Sequence, residues 1–423
     1  NSQLPTHNSQ LPTHNSQLPM HILFLNRSYH PDPEATGQYL TELAEDLAAG
    51  GDEVSVVCGR SYHRNEGWGM SPFEVRKRNG VAVHRAFNTR FSKSSFAGRL
   101  INLGTYFLCC MVALLSVRRP DVVVAETDPP LLPLIGAFFS ALTGARFVFL
   151  INDLYPDVAV ELGAISNPIW LRLLEASTST GLERSDVVVT LGQDMRRKVA
   201  ARGCDTNKLH VIHYWVDTEK VHPVGGANRF RTQHGLKSTD FVVMYSGNMG
   251  LSQPLEDVLR AAEMLSDESR LRFLFVGDGA RRDDLIELAQ NLAVSSMVDF
   301  LPYQPRENLA ESLGAADLHL IPLAEPATGS IVPCKVYGIM ASGPPYVAIT
   351  SHRCEVARFA REYGCGTWCR PGAPAEIAGN IRELLNDPEC LEAMGRRGRR
   401  AAEREFNRVD AVEKYRELFR QMI

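Results

Sequence analysis

The sequence predicts an α/β protein made of two doubly wound domains that face each other. Short apolar runs alternate with helix-length segments, this alternation occurs twice along the chain, and a polar, glycine-rich stretch separates the two series. Continuous apolar runs are typical of parallel strands that are buried on both faces, with helices as the crossover connections. With 423 residues, the chain is long enough to form two separate hydrophobic cores.

The two series of predicted strands define the domain limits. The first series contains strands at 21–26, 54–58, 81–86, 122–127, 146–153, 187–192 and 209–214. The second series contains strands at 241–247, 272–279, 298–303, 318–323 and 345–350. The linker is predicted at about 217–238, so that residues 20–220 form the first domain and residues 221–405 the second. The last helix, within 406–423, is expected to cross back to the first domain.

The first nineteen residues are a tandem repeat of NSQLPTH that stops at Met20. This stretch lacks the basic start and the apolar run of a signal peptide. We therefore interpret residues 1–19 as a disordered extension and expect the fold to begin at Met20.

The composition is that of a soluble globular protein, with 44% hydrophobic and 22% charged residues. The formal net charge of −4 gives no general reason to expect a nucleic-acid partner. Nine cysteines are scattered without a paired framework, and Cys365 and Cys369 match no common zinc spacing. Free thiols in a reducing compartment are expected.

Two uncharged runs, at 100–117 and 129–145, are too short or too irregular for a typical membrane span. The second run contains prolines and glycines and leads into a strand, which favours a core helix. The first run, Leu100 to Val117, is followed by Arg118 and Arg119. Two interpretations of it remain open, a helix lying on an anionic membrane surface and a core helix with solvated ends.

Candidate ligand-binding residues follow the strands of the second domain, where ligands bind in open α/β sheets. Glycine-rich turns that lead into helices offer N–H groups to an anion. Lys335 lies in the first turn of a helix that is predicted to end at Gly343, although the helix dipole disfavours a cation there. A phosphate shared between Lys335 and the turn amides explains this placement, so the sequence predicts a nucleotide diphosphate site.

Several segments along the chain form a specific series of motifs. In chain order they are PDPEATGQYLTELAEDLAAGGDEVSVV, DVVVAETDPP, FLINDLYPD, VIHYWVDTEKVHP, YSGNMG, FVGDG, AADLHLIPL and PCKVYGIMASGPP. From Met20 to the C-terminus, the series resembles the bacterial family 4 retaining glycosyltransferases with the GT-B fold. The similarity is greatest to the branch that builds capsule, colanic-acid and O-antigen sugars, including fucosamine-type transferases. In that branch a serine usually stands at the position of Cys334.

The resemblance implies that a sugar is transferred, with retention of its anomeric configuration, from a nucleotide donor that we expect to be UDP-linked. The expected acceptor is an oligosaccharide or a polyprenyl-diphosphate-linked glycan, and the expected location is the cytoplasm or the inner face of the plasma membrane. Two alternatives remain open. One is a sugar-nucleotide 2-epimerase, which shares the fold, and the other is an inactive nucleotide-sugar-binding subunit.

The resemblance also assigns roles to residues on the donor side. Lys335 and the amides of the first turn are expected to hold the diphosphate, the next two loops to form the base pocket, and the loop before Lys335 to border the sugar. Glu355 corresponds to a glutamate near the ribose in relatives. The donor-binding residues are Gly247, Asn248, Gly250, Gly277, Asp278, Gly279, Tyr303, Gly329, Ser330, Ile331, Val332, Lys335 and Glu355.

Two departures from the family pattern make Lys335 the main nearby cation. Many members carry a pair of glutamates where this chain has Ser330 and Gly338, and a basic pair where it has Asn248 and Gln253. No Asp-x-Asp motif occurs in the chain, which favours a site without a metal ion. No cofactor is expected apart from the nucleotide-sugar co-substrate.

The first domain is expected to supply the acceptor side. Gly37 would let the backbone approach the diphosphate. Asp153 ends a predicted strand at the ligand edge and is the favoured residue for stabilising the oxocarbenium-like centre or orienting the acceptor, with Asp157 as the second choice. Capping of the following helix by Asp153 is the structural alternative.

Overall fold

A computed structural model describes residues 18–61, 71–91, 96–163, 165–224 and 228–423. These residues form two α/β units, each built on one sheet with helices on its faces, which confirms the predicted fold class. Almost all of the predicted extension 1–19 lies outside the described residues. The predicted domain limits at 220 and 405 remain predictions.

The first unit follows the predicted alternation of strands and helices. Its elements are β1 (His21–Leu25), α1 (Ala35–Ala49), β2 (Glu53–Gly59), β3 (Phe73–Arg78), β4 (Val81–Ala86), α2 (Phe96–Leu114), β5 (Val122–Ala125), α3 (Leu132–Thr143), β6 (Arg146–Ile151), α4 (Asp157–Glu161), α5 (Pro168–Arg184), β7 (Val187–Thr190), α6 (Gln193–Ala201) and β8 (Leu209–Val211).

The second unit repeats the alternation with shorter helices. Its elements are α7 (Arg229–Gln233), β9 (Phe241–Ser246), α8 (Leu255–Met264), β10 (Leu271–Val276), α9 (Arg282–Asn291), β11 (Val298–Leu301), α10 (Leu309–Leu313), β12 (Leu318–Pro322), α11 (Lys335–Ser342), β13 (Tyr346–Ile349), α12 (Glu355–Tyr363), β14 (Gly366–Cys369), α13 (Pro374–Leu385), α14 (Pro388–Glu405) and α15 (Arg408–Arg420).

Both sheets reverse their strand order near the centre. The first sheet has the order β3-β4-β2-β1-β5-β6-β7-β8, and the second has the order β11-β10-β9-β12-β13-β14. Neighbouring strands are parallel except for β3 and β4, which form an antiparallel pair. A crevice therefore opens beyond β1 and β5 in the first sheet and beyond β9 and β12 in the second, because the connections leave in opposite directions there.

The C-terminal helix α15 packs against α1 of the first unit. The guanidinium of Arg408 donates to both carboxylate oxygens of Asp46, at 2.6 and 2.7 Å. Arg416 donates to the buried Asp52 at 3.2 Å. The ring of Phe419 meets that of Phe24 on β1 at a centroid distance of 6.3 Å. These contacts bind the end of the chain to the first sheet.

Helices α2 and α3 leave a charge-free apolar surface on the first unit. Leu108 and Leu115, in and just after α2, are 69% and 82% exposed, and Phe138 and Leu142 on α3 are 56% and 67% exposed. The opposite face of α2 buries Tyr106 and its neighbours in the core, as expected for an amphipathic helix. Within the described ranges, no helix is both long and apolar enough to cross a bilayer.

Candidate functional site

A cleft of about 860 Å³ lies between the two sheets. The second unit lines it with Ser246 at the end of β9 and with Lys335 and Gly338 on α11. The first unit lines it with Tyr39 on α1 and Trp215 after β8. The cleft therefore lies at the carboxyl ends of the strands of the second sheet, as expected for a ligand site in this architecture.

Lys335 is the first residue of α11 and points into this cleft. Its Nζ lies 3.9 Å from the centroid of the Tyr245 ring, in cation–π geometry. Burial lowers the pKa of Lys335 to about 7. Among the described residues, no carboxylate forms an ion pair with this ammonium. No side chain caps α11 either, so a partly desolvated cation stands at the N-terminus of the helix, where the amide of Val336 donates to the carbonyl of Pro333 at 3.4 Å.

The glycine turns play a different role from the one expected. The amides of Gly247 and Gly277 donate to the carbonyls of Val276 and Leu301, at 2.9 and 2.8 Å. Those of Gly250 and Gly279 donate to side-chain oxygens of Gln253 and Asp278, at 3.2 and 2.8 Å. In this structure these four amides have acceptors within the protein, and their predicted contact with a phosphate stays a prediction. In the first turn, Asn248 is the residue whose amide has no acceptor within the described chain.

Close packing explains two of these glycines. A Cβ on Gly277 would lie 2.1 Å from the carbonyl oxygen of Gly247, and one on Gly279 would lie 2.4 Å from that of Met249. Gly247 has a φ of 146°, and a Cβ there would lie 2.7 Å from Nζ of Lys335. The glycines bring the loops after β9 and β10 together and leave room for the ammonium.

The loop from Gly329 to Val332 contacts the first unit instead of facing the open cleft. The Ser330 side chain is fully buried; its hydroxyl donates to Glu161 at 2.8 Å and accepts from Lys198 at 2.6 Å. Ile331 forms an isolated antiparallel bridge with Asp153. Ser330 is thus an interdomain contact, which corrects its assignment as a residue bordering the sugar.

Asp153 lies where this loop meets the end of β6. Its amide donates to Oγ1 of Thr127 at 3.1 Å. Burial, reinforced by the nearby Asp128, raises the pKa of Asp153 to about 7. Asp128 is itself bound by Arg27 at 3.2 Å. The carboxyl group of Asp153 can therefore change its protonation state near neutral pH, as required of a functional acid or base.

Asp157, the second acidic candidate, is held in an ion-pair network. It is paired with Arg202 and lies 3.7 Å from Nζ of Lys198. Lys198 also pairs with Glu161 and donates to Ser330. The placement of Asp157 on the acceptor side is not supported by these contacts, which give it a structural role at the interface.

Glu355 is fully buried and does not reach the cleft, which corrects its expected place near a ribose. Its carboxylate accepts from His213 at 2.7 Å, from Arg358 at 2.6 Å and from the amide of Gln193 at 3.1 Å. Burial acts to raise the pKa of Glu355, but the hydrogen bonds from His213 and Arg358 prevail and lower it to about 2. Glu355 joins the two units through its contacts with His213 and Gln193.

Replacing Glu355 with alanine should destabilise the protein by about 3 kcal/mol, because His213 and Arg358 would lose a buried partner. Chemical denaturation would measure this change. Glu362→Ala removes a half-exposed partner of the same Arg358 and should cost less than about 1 kcal/mol. Since its folded pKa is lowered, the stabilisation from Glu355 is present above its unfolded pKa and is lost as the pH falls towards 2. Equal losses in the two variants would contradict the interdomain role.

Gly37 and Tyr303 are two further residues that the sequence predicts in the site, and one is packed in the protein while the other is exposed. A Cβ on Gly37 would lie 3.0 Å from Cβ of Ser28 and 3.2 Å from the amide nitrogen of Tyr29. Gly37 therefore serves the packing of α1 on the preceding loop, and its predicted contact with a diphosphate is not supported. Tyr303 is 56% exposed, and partial burial, reinforced by the nearby Asp278, raises its pKa. These two side chains remain candidates for contacts with a base.

The structure adds residues that sequence reasoning missed. Glu42 on α1 accepts from the indole of Trp215 at 2.7 Å and pairs with Arg306, which follows β11. Beneath them, Asn152 donates to Glu126 at 2.6 Å and accepts from Tyr214 at 2.9 Å. No local pattern could have revealed these contacts, because the partners come from distant parts of the chain.

The comparisons with known proteins agree with this architecture. The family model for glycosyl transferases group 1 matches residues 227–401, and that for a glycosyl transferase 4-like domain matches residues 35–215. WcaI of Escherichia coli (strain K12), named for colanic acid biosynthesis, is 28% identical over 380 residues, which cover 87% of this chain and 93% of WcaI. WbjE of Pseudomonas aeruginosa, named as a glycosyltransferase, is 28% identical over 72% of this chain and 76% of its own.

Two solved structures show the same fold at low identity. HepE from Anabaena, in complex with UDP, has a TM-score of 0.74 at 16% identity and covers 95% of this chain and 100% of its own. WaaG, a glycosyltransferase involved in lipopolysaccharide biosynthesis, has a TM-score of 0.71 at 15% identity and covers 94% of this chain and 99% of its own. With both sheets matched by glycosyltransferase family models, the chain is a group 1 glycosyltransferase with the GT-B fold.

Proposed function

We propose that this enzyme transfers a sugar from a UDP-sugar to a lipid-linked or growing surface-polysaccharide acceptor, with retention and without a metal ion, at the inner face of the plasma membrane. The observation that carries the proposal is Lys335, a cleft cation without a carboxylate partner among the described residues. The name of WcaI and the UDP bound to HepE support the acceptor class and the donor base.

In this proposal the leaving diphosphate binds at the N-terminus of α11. The ammonium of Lys335 and the uncapped amides there would stabilise the negative charge that develops as the bond between the sugar and the phosphate breaks. The amide of Asn248 adds a donor from the facing turn. In this proposal, fixed cations and amides take the role that a metal ion has in other phosphate sites.

In this proposal Asp153, which forms a bridge with Ile331 and lies close to Cys334, would face the anomeric carbon. Its carboxylate would stabilise the oxocarbenium-like centre, while the acceptor hydroxyl attacks from the face that the nucleotide leaves. The new C–O bond forms as the old one breaks, and the hydroxyl proton passes to the departing phosphate. No separate protein base is required in this sequence.

A panel of nucleotide sugars with a polyprenyl-diphosphate-linked glycan tests the proposal. Release of UDP should require both donor and acceptor, and the glycoside should keep the anomeric configuration of the donor by NMR. Incubation with donor alone separates transfer from epimerisation, since an epimer formed without acceptor would indicate a 2-epimerase. Absence of glycoside from every donor would contradict the proposed transfer.

The apolar surface of α2 and α3 is proposed to lie on the membrane. Between the helices runs a groove of about 400 Å³ lined by Phe107, Leu108, Met111, Leu131, Leu134 and Ile135. Arg119, at the end of this surface, is exposed and has no ion-pair partner within the described residues. An apolar face with basic side chains at its edge suits an anionic bilayer.

Substitution of both Leu108 and Leu142 with glutamate should therefore abolish flotation with phosphatidylglycerol vesicles, because two charges would enter the lipid interface. The double variant should still bind UDP. Ile169→Glu changes a 75% exposed apolar residue on α5, outside this surface, and should float like the wild type. Undiminished flotation of the double variant would contradict the membrane-facing assignment.

Binding of UDP should weaken as the pH rises above about 7. The pKa of Lys335 is lowered to about 7, so that the charged form that binds a diphosphate is lost above that pH in the free enzyme. Calorimetric titration between pH 6 and 9 would measure the change. Lys335→Arg should flatten the profile because arginine stays charged. A profile that is equally flat in the wild type would contradict a direct contact with Lys335.

A further inference from the structure

The cations of the cleft differ in how firmly they are paired. The basic side chains of lysine and arginine that line it are Arg78, Lys220, Arg306, Lys335 and Arg408. Arg78 pairs with Glu45 at 2.8 Å, and Lys220 pairs with Asp217 at 2.8 Å. Arg408 is held by both oxygens of Asp46. Each of these three has a carboxylate partner in place. Lys335 has none among the described residues, and Arg306 pairs with a carboxylate on the other side of the cleft.

Arg306 crosses the cleft to reach its partner. It lies on the second unit, in the short turn after β11, and pairs with Glu42 of α1 on the first unit. Its side chain is 56% exposed, whereas that of Glu42 is 9% exposed. An ion pair with one partner this exposed contributes little to stability. Arg306 can therefore leave Glu42 for a stronger partner at a small cost in free energy.

The carboxylate of Glu42 has polar contacts besides its ion pair with Arg306. One carboxylate oxygen accepts from the indole N–H of Trp215 at 2.7 Å, and the other lies 3.6 Å from Arg408. If Arg306 left, Glu42 would keep a hydrogen-bond donor and a nearby cation. The buried carboxylate would thus avoid the large penalty of an unpaired buried charge.

The position of Arg306 places it along the path of a bound nucleotide. Helix α10 follows Arg306 directly and packs against α11, whose first residue is Lys335. Between them, Gly338 opens the surface of α11, since a Cβ there would meet Leu313 alone, at 3.2 Å. Lys335, Gly338 and Arg306 line the same cleft, so a diphosphate held at Lys335 would lie in the cavity that Arg306 also lines.

We propose that Arg306 is a second donor-binding cation, which exchanges Glu42 for the diphosphate of the nucleotide when the donor enters the cleft. A diphosphate carries more charge than a carboxylate and matches the planar guanidinium fork, so the exchange is favourable. Arg306 thereby supplies part of the positive charge that is missing where this chain has Asn248 and Gln253. The inference rests on the proposed donor site and deepens it.

Calorimetric titration with UDP of the wild type and of matched variants tests the exchange. Arg306→Ala should weaken UDP binding about tenfold, because a charge-assisted contact is lost. Glu42→Gln should strengthen it about threefold, because Arg306 is released in advance while the amide oxygen can still accept from Trp215. The double variant should bind like Arg306→Ala. Arg78→Ala, a cleft cation that stays with Glu45, should bind UDP within twofold of the wild type.

The two single variants are expected to change UDP affinity in opposite directions, and this difference distinguishes ligand binding by Arg306 from a purely structural contact. If Arg306 and Glu42 merely held the units together, both single variants would shift UDP affinity in the same direction, and the inference would be overturned. Unchanged UDP affinity in Arg306→Ala would overturn it too, whereas the proposed donor site would stand as long as Lys335→Ala lost binding. Failure of the wild type to bind UDP would count against the donor site itself.

Discussion

Lys335→Ala is expected to lower the rate of sugar transfer at saturating acceptor by about 100-fold, the loss typical when one preorganised group facing a developing negative charge is removed. The reason is local. Nζ of Lys335 stands between the Tyr245 ring and Gly247, and no carboxylate among the described residues neutralises it. Initial-rate kinetics with a UDP-sugar, together with UDP titration, would measure the effect on both turnover and donor affinity.

Lys220→Ala is the matched control for this experiment. Lys220 lines the same cleft, but its ammonium is 2.8 Å from Asp217 and its side chain is 75% exposed. Its removal should change transfer less than about twofold, since an exposed ion pair contributes little. Similar losses in the two variants would mean that the cleft responds to its overall charge and that Lys335 has no special role.

The core of the fold could be predicted from the sequence because burial leaves a strong pattern. Continuous apolar runs such as 122–125 and 187–190 became central strands that are buried along their whole length. The edge strands β3 and β14 escaped prediction. β3 reads FEVRKR, with half of its residues exposed, and pairs with a single neighbour, so its sequence resembles a polar loop. β14 contains Gly366, which a strand pattern disfavours.

The candidate site was predictable where it depends on local backbone rules and not where it depends on packing across the interface. The end of α11 at Gly343, with a φ of 104°, follows from the sequence, as does the place of Lys335 at its start. The hydrogen-bond partners of the turn glycines depend on the neighbouring loop, which no single motif specifies. Likewise, Glu355 and Asp157 look like ligands in sequence, but Glu355 is bound by His213 of the facing unit and Asp157 by Arg202 from a distant part of its own unit.

Asp153→Asn is expected to reduce kcat by about 100-fold while donor affinity changes little, because the amide keeps the shape of the side chain and removes its charge. Burial and the nearby Asp128 raise the pKa of Asp153 to about 7. The carboxylate form needed at the anomeric centre is thus gained as the pH rises through 7, and the limb of the kcat/KM profile below pH 7 should disappear in the variant. Steady-state kinetics between pH 5.5 and 9 would show both effects.

Asp157→Asn separates the two acidic candidates. Asp157 is paired with Arg202 and lies near Lys198, so Asp157→Asn should lower the melting temperature but keep the acidic limb of the profile.

Lys335 has the opposite pH dependence to Asp153, because its positive charge is lost as the pH rises above about 7. In the free enzyme, Asp153 and Lys335 are therefore both in their active states in a narrow range around pH 7, and the pH profile of kcat/KM for the wild type should be bell-shaped. If Asp153→Asn retained the acidic limb and Asp157→Asn lost it, the role at the anomeric centre would pass to Asp157.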